Sequence, residues 1–295
     1  MENGNYLVRA TALDERVRAF ALNATEVVSE LQRRHDTFPA VTAALGRTAM
    51  GSLLLAAASL KEADQVLTIE VKGNGPAGRI LATANGAGEV RGLVGNPHVH
   101  ATGEGKLNVR GVVGSEGFLS VTRNLGMRDA YQGMVELQSG EIGVDLAFYL
   151  AQSEQTPSAV GIGVFVEPDN HVSAAGGYLV QLLPGLADEE IVAIEARIGA
   201  LPHPTELIRS GEAPEDILRR IFPEGFVELD RYPVRFECPC SRERFSAGIV
   251  SLGAEEVRRI IEEEAEPYTE AVCHFCNEHY RFSADEMREI LEAAK

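Results

Sequence analysis

The stretches Phe236–Ile249, FECPCSRERFSAGI, and Ala271–Glu286, AVCHFCNEHYRFSADE, contain every cysteine of the chain: Cys238, Cys240, Cys273 and Cys276. A chain of 295 residues that keeps its only thiols in two tight pairs is using them together. Two close-spaced pairs a few tens of residues apart match the spacing of a tetrahedral zinc site with four sulfur ligands. Four thiolates complete that geometry. His274 and His279, inside and just after the second pair, are therefore possible substitutes that the site does not require. The first pair is unusual: only Pro239 separates Cys238 from Cys240, where structural zinc pairs leave about two to four residues between them.

Both pairs are followed by Arg-Phe-Ser-Ala, at Arg244–Ala247 and Arg281–Ala284. A helical stripe follows each: Val257, Ile260 and Ile261 in the first half, Met287, Ile290 and Leu291 in the second. Ser283 with Glu286 reads as a capping box. The pattern predicts two turn-then-helix halves sharing one metal ion, over residues 233–295. A block of this size has a small core and commonly needs a metal to fold. The close spacing adds a second chemistry. Neighbouring cysteines can form a disulfide at little entropic cost where geometry permits. Thiolates held by a metal stay deprotonated and remain nucleophilic towards peroxide. Oxidising one pair would remove two of four ligands, from a class of site that supplies about 10–16 kcal/mol of folding free energy. Such a site can act as a switch whose output is unfolding. It can equally be a static staple.

At these residues the sequence resembles a bacterial family of redox-regulated heat-shock holdases, the 33 kDa chaperonins. The C-P-C and C-H-F-C pairs carry the resemblance, with QRRH at Gln32–His35, ALGRT at Ala44–Thr48 and AAGGYLVQLLPG at Ala174–Gly185; it extends over essentially the whole chain. The resemblance implies a reduced, inactive form with one zinc ion on Cys238, Cys240, Cys273 and Cys276. It implies an oxidised form with disulfides Cys238–Cys240 and Cys273–Cys276, zinc lost and the linker unfolded. That form would bind unfolding client proteins without ATP, commonly as a homodimer.

Working outward, residues 1–184 read as α+β. Strand-like alternation appears in NYLVRATAL, RVRAFAL, QVLTIEVK, GRILATA, EVRGLV, FLSVTRNL and GMVELQ. Asn23 and Glu26 suggest a helix start, and Pro39 opens a long alanine-rich helix. The stretch Val160–Leu183 reads as a hairpin turning at Pro168–Asn170. Residues 185–232 form an acidic helical linker broken by prolines. One short helix carries the stripe Ile191, Ile194, Ile198 and another Ile217, Leu218, Ile221, Phe222. Short helices like these do not persist alone and need a surface, expected to be a sheet face of the first domain.

The chain is 45% hydrophobic and 24% charged with a formal net charge of -17, its acidic excess greatest after residue 185. Such a field disfavours nucleic acid as a partner. The start, MENGNYLVRATALDERVR, lacks the basic-then-apolar order of a signal peptide, so a cytoplasmic protein is expected. Thr42–Leu60 is apolar but interrupted by Arg47; a buried helix closely packed at Gly46 and Gly51 is expected, and no membrane partner. GNGPAG (Gly73–Gly78) has dinucleotide-binding spacing, yet strand-like RILATA follows where a helix should, so a hairpin loop is expected and no bound nucleotide. His98 and His100 in NPHVH read as structural. No phosphate-binding loop and no catalytic triad stand out, so no enzyme is expected. Two rivals to the holdase are a thiol–disulfide oxidoreductase using Cys273 and Cys276, and a zinc module that binds a partner without switching. The first needs its pair to open a helix after a strand.

Overall fold

Tyr6–Ala12 (β1) and Val17–Asn23 (β2) pair antiparallel, and Val172–Leu182 (β9) pairs with β2 on its other side. Ser158–Val166 (β8) joins β9 through the turn around Pro168–Asn170. Val227–Pro233 (β10) adds to the outer edge of β1, giving a five-stranded sheet in the order β10-β1-β2-β9-β8. The computed structural model describes residues 4–101, 107–127, 130–264 and 266–294. The chain divides into two units, Met1–Glu237 and Cys238–Lys295. The architecture is α+β.

A second sheet in the first unit has six strands: Val66–Gly73 (β3), Arg79–Asn85 (β4), Glu89–Val94 (β5), Gly117–Asn124 (β6), Tyr131–Glu136 (β7) and Arg235–Phe236 (β11), in the order β11-β5-β4-β3-β6-β7. The glycine-rich segment Gly73–Gly78 joins β3 to β4, which are antiparallel, so no crossover helix follows it. The helix Pro39–Ser59 (α2) packs against strands of both sheets and has almost no polar face. It is long and apolar enough to cross a bilayer by length and composition, and here it is buried in the core. Its glycines allow this packing: a Cβ on Gly46 would fall 2.7 Å from Val28 Cγ1, and one on Gly51 would fall 2.5 Å from Leu146 Cδ1. Arg47, the one charge in the helix, reaches Glu141 at 2.7 Å.

The helix Thr25–His35 (α1) is capped differently from the expectation. Its N-cap is Ala24, and exposed amides of the first turn bond to Asn23 and Asn5 side chains at 3.1 and 2.9 Å. Two short helices, Val109–Val113 (α3) and Gly143–Gln152 (α4), carry no clear signal in the sequence.

The inner strands of the five-stranded sheet, β1, β2 and β9, are buried on both faces. Leu7, Phe20, Leu22 and Leu179 point to the α2 side. Val8, Ala10, Ala12, Val17, Ala19, Ala21, Tyr178 and Val180 point to the other side, where three helices cover them: Asp188–Gly199 (α5), Pro204–Arg209 (α6) and Pro214–Ile221 (α7). The alanines make that face shallow enough for α7 to seat Ile217, Leu218 and Ile221, each 0% exposed, with Phe222. Ile194 is also buried, Ile198 packs at the margin and Ile191 stays half-buried. Burial of side chains of this size contributes about 1.5–3 kcal/mol each, which an eight-residue helix needs, since its own hydrogen bonds do not sustain it in water. Arg16 clamps the start of α5 by two bonds to Glu190, of 2.7 and 2.9 Å.

In the second unit the two halves differ. Arg244–Ala247 lies inside the helix Arg242–Val250 (α8), whereas Arg281–Ser283 belongs to a strand. The strands Tyr268–Val272 (β12) and His279–Ser283 (β13) form a hairpin, and Ala284–Ala293 (α10) follows from the Ser283–Glu286 capping box. Hydrogen bonds from the Ser283 N–H and from Arg242 hold the exposed Glu286 carboxyl down to about 2. The matching four residues therefore do not make matching structures. Ser241 caps a helix at once after the first pair, while Asn277, in left-handed backbone (φ 55°), turns the second pair into β13. The helix Ala254–Glu263 (α9) carries the stripe read at Val257, Ile260 and Ile261.

Changing Ile217 and Ile221 together to Glu should undock α7, because two carboxylates have no partners on the alanine face. Limited proteolysis of the reduced protein should then cut at Arg219 and Arg220 much faster than in the parent, with the strands of the six-stranded sheet still protected.

Candidate metal centre

The four cysteine Sγ atoms all lie within 4.8 Å of one another. Cys238 and Cys273 are 3.7 Å apart and Cys240 and Cys276 3.3 Å, too far for S–S bonds, and no disulfide joins any of the four. A tetrahedron of sulfurs at about 2.3 Å from a zinc ion has edges of about 3.8 Å, so the cluster fits that ion's size and number of ligands.

Each half reaches this spacing by its own local rule. Cys273 directly follows β12, and its carbonyl accepts from the N–H groups of Cys276 (3.2 Å) and Asn277 (2.7 Å), while its own N–H donates to the Glu278 carbonyl at 2.9 Å. This tight turn aims both sulfurs the same way. In the first half Pro239 stiffens the single intervening residue, and Arg244 donates to its carbonyl at 2.6 Å. Cys240 stands just before α8, where the amide dipoles of the helix start favour a thiolate. Tyr280 donates its hydroxyl hydrogen to Cys240 Sγ at 3.2 Å and stacks on Phe245, ring centres 4.7 Å apart. Tyr280 was not singled out in the sequence; its place four residues after Cys276, on the inward side of a hairpin, is the signal that would have found it.

Cys273 and Cys276 are buried, Cys238 and Cys240 partly so. Burial pushes the Cys240 and Cys276 thiols above their ordinary range, and the Tyr280 hydrogen bond opposes this at Cys240. Four crowded thiols in low dielectric do not ionise together unless a cation compensates them. His274 is exposed and His279 pairs with Glu270 at 3.2 Å; the metal-competent group contains neither. His98 bonds to Asp36 at 3.0 Å and His100 stacks on Phe38, both in a connecting segment rather than a strand.

Among the described residues the apolar core of this unit has Val257, Phe282, Met287 and Ile290 as its buried members, with partly buried side chains packed against them. At roughly 1.5–3 kcal/mol each, that core does not offset the ordering of a chain of this length. The sulfur cluster supplies the missing cross-link if it holds a metal.

The family model of the Hsp33 protein matches residues 5–283. The chain belongs to the Hsp33 family. The 33 kDa chaperonin of Bacillus subtilis is 49% identical over 285 residues, covering 96% of this chain and 97% of that one. The 33 kDa chaperonin of Bacillus velezensis is 48% identical over 288 residues, covering 97% and 98%. The crystal structure of the 33 kDa chaperonin (heat shock protein 33 homologue) of Thermotoga maritima superposes with a TM-score of 0.90 at 36% identity, covering 98% of each chain. These relatives are named as chaperones, a non-enzymatic class. In this Hsp33-family chain Cys273 and Cys276 sit in a hairpin turn, not at the start of a helix after a strand, so the pair lacks the setting of a thioredoxin-like oxidoreductase.

Binding a cation here must displace protons from thiols, two of which, Cys240 and Cys276, hold them more tightly because they are buried, so apparent metal affinity should fall as pH falls. Titrating zinc against a competing chelator between pH 8 and pH 6 should show affinity rising with pH by more than about tenfold per unit, the mark of more than one proton released. Cys240→Ser should lower affinity further and broaden the amide signals of residues 238–294.

Proposed function

We propose that this chain is a cytoplasmic, ATP-independent holdase switched on by oxidation. One observation carries the reading: four thiols meet in a unit with almost no other core, and the chain just before it holds apolar helices against an apolar sheet face. When bound, zinc on Cys238, Cys240, Cys273 and Cys276 would keep the thiolates ionised and cross-link the unit. A thiolate attacks peroxide, taking one oxygen as a sulfenic acid and releasing hydroxide. Its neighbour's thiolate then attacks that sulfur, forming the disulfide and expelling a second hydroxide. Pairing Cys238 with Cys240, and Cys273 with Cys276, removes the ligand set and with it the reason for the unit to stay folded.

The linker would follow. Beyond β10 a short segment holds the chain before Cys238: the buried Val234, whose N–H donates to the Asn5 carbonyl at 3.2 Å, the two-residue β11 with the Arg235–Glu89 ion pair and Arg34 over the Phe236 ring, and the bond from Glu237 N–H to the Val90 carbonyl, 3.0 Å. With residues 238–295 unfolded, this edge frays, α5 to α7 lift off and the alanine face is bared. Large apolar faces in water bind unfolded polypeptide and promote pairing of two copies, hence unfolding clients as partners and a homodimer in the oxidised form.

The test measures zinc content and aggregation suppression on one sample before and after peroxide with warming. About one zinc per reduced chain and little suppression should give way to no zinc and strong suppression, with peptide maps dominated by the two neighbour disulfides. Suppression that is equal before and after, or a dominant Cys240–Cys273 link, defeats the mechanism.

A further inference from the structure

Among the described residues Glu215 is the one acidic side chain buried on the linker side of the five-stranded sheet, with its side chain 9% exposed. It lies in the first turn of α7, and every partner that compensates it comes from elsewhere. Tyr6 in β1 donates its hydroxyl hydrogen to Glu215 Oε2 at 2.6 Å. Arg231 in β10 forms an ion pair with Glu215 Oε1. The same guanidinium lies over the Tyr6 ring, 5.1 Å from its centre, and bonds to Glu228 in its own strand at 2.9 and 3.0 Å. Asp216 and Arg219 of α7 bond to each other instead. Glu215 thus ties a helix, a central strand and an edge strand at one point, and its cationic partner stands on the edge strand.

We propose that Glu215 couples the pairing of β10 to the docking of the linker helices. While β10 lies along β1, Arg231 neutralises Glu215 and the helix rests on its apolar stripe. When β10 frays, Arg231 leaves with it. Glu215 is then a buried carboxylate with no cation beside it and only the Tyr6 hydroxyl bonded to it, and it drives α7 off the sheet to regain water. The order of events is set: strand first, helix second. The coupling deepens the holdase reading and rests on it for its purpose, though not for its physics.

Hydrogen exchange on the reduced, zinc-loaded full-length chain tests it. Arg231→Gln should speed exchange of the Ile217–Ile221 amides by roughly 30-fold or more, while β3 to β6 stay protected. Glu215→Gln, which can still accept from Tyr6, should stay within about threefold of the parent. The double variant Glu215→Gln, Arg231→Gln should return to the rate of Glu215→Gln alone, because no buried charge is left to expel. Equal exchange in Arg231→Gln and the double variant, or parental exchange in Arg231→Gln, overturns the coupling. Should Arg231→Gln not fold, the double variant must fold, and its failure overturns it equally. Aggregation suppression on the same samples separates the two claims. A freed α7 without suppression counts against the holdase reading and leaves the coupling standing.

Discussion

An apolar sheet face must be covered, and the face made by Val8, Ala10, Ala12, Val17, Ala19 and Ala21 is covered by helices that need the sheet as much as it needs them. None of α5, α6 and α7 exceeds twelve residues, and two are opened by prolines, so none has a stable existence in water. Their order is borrowed from tertiary contact. Such an element is either docked or unfolded, which makes this layer the natural moving part of the first unit.

The second unit meets the same shortage of core by other means. Among its described residues the buried apolar ones, Val257, Phe282, Met287 and Ile290, come from three short elements, and four cysteine sulfurs gather in the same unit in an arrangement that could hold a metal ion. Burial raises the affinity of Cys240 and Cys276 for protons, which opposes ionisation of the cluster unless a cation is bound. A site of this kind ties folding to the chemical state of sulfur. The core of β3 to β7 and α2 lies in the first unit.

Sequence and structure agree most closely where one face of an element is apolar and the other is not. The stripe Ile217, Leu218, Ile221, Phe222 was legible because helical periodicity survives without tertiary information, and the cysteines were legible because ligand spacing is local. Ile191 is only half-buried although it shares the stripe of Ile194, because α5 meets the sheet at a margin that periodicity does not define. β10 was missed altogether. Val227–Pro233 alternates only briefly, Val227 and Leu229 with Glu228 and Asp230, and both apolar side chains stay exposed, since it is an edge strand whose order comes from the backbone of β1.

By itself the sequence determined the elements whose physical cause is local: the alternating strands of the first domain, the long buried helix with its packing glycines, and the set of four sulfurs. Only the tertiary structure decided what was non-local. It placed the linker on the alanine face rather than on the second sheet, and put two like Arg-Phe-Ser-Ala segments into a helix and a strand-to-helix turn. It also brought Tyr6, Glu215 and Arg231 together across more than two hundred residues of chain. A buried charge is recognisable only once its burial is known, and burial belongs to the whole fold.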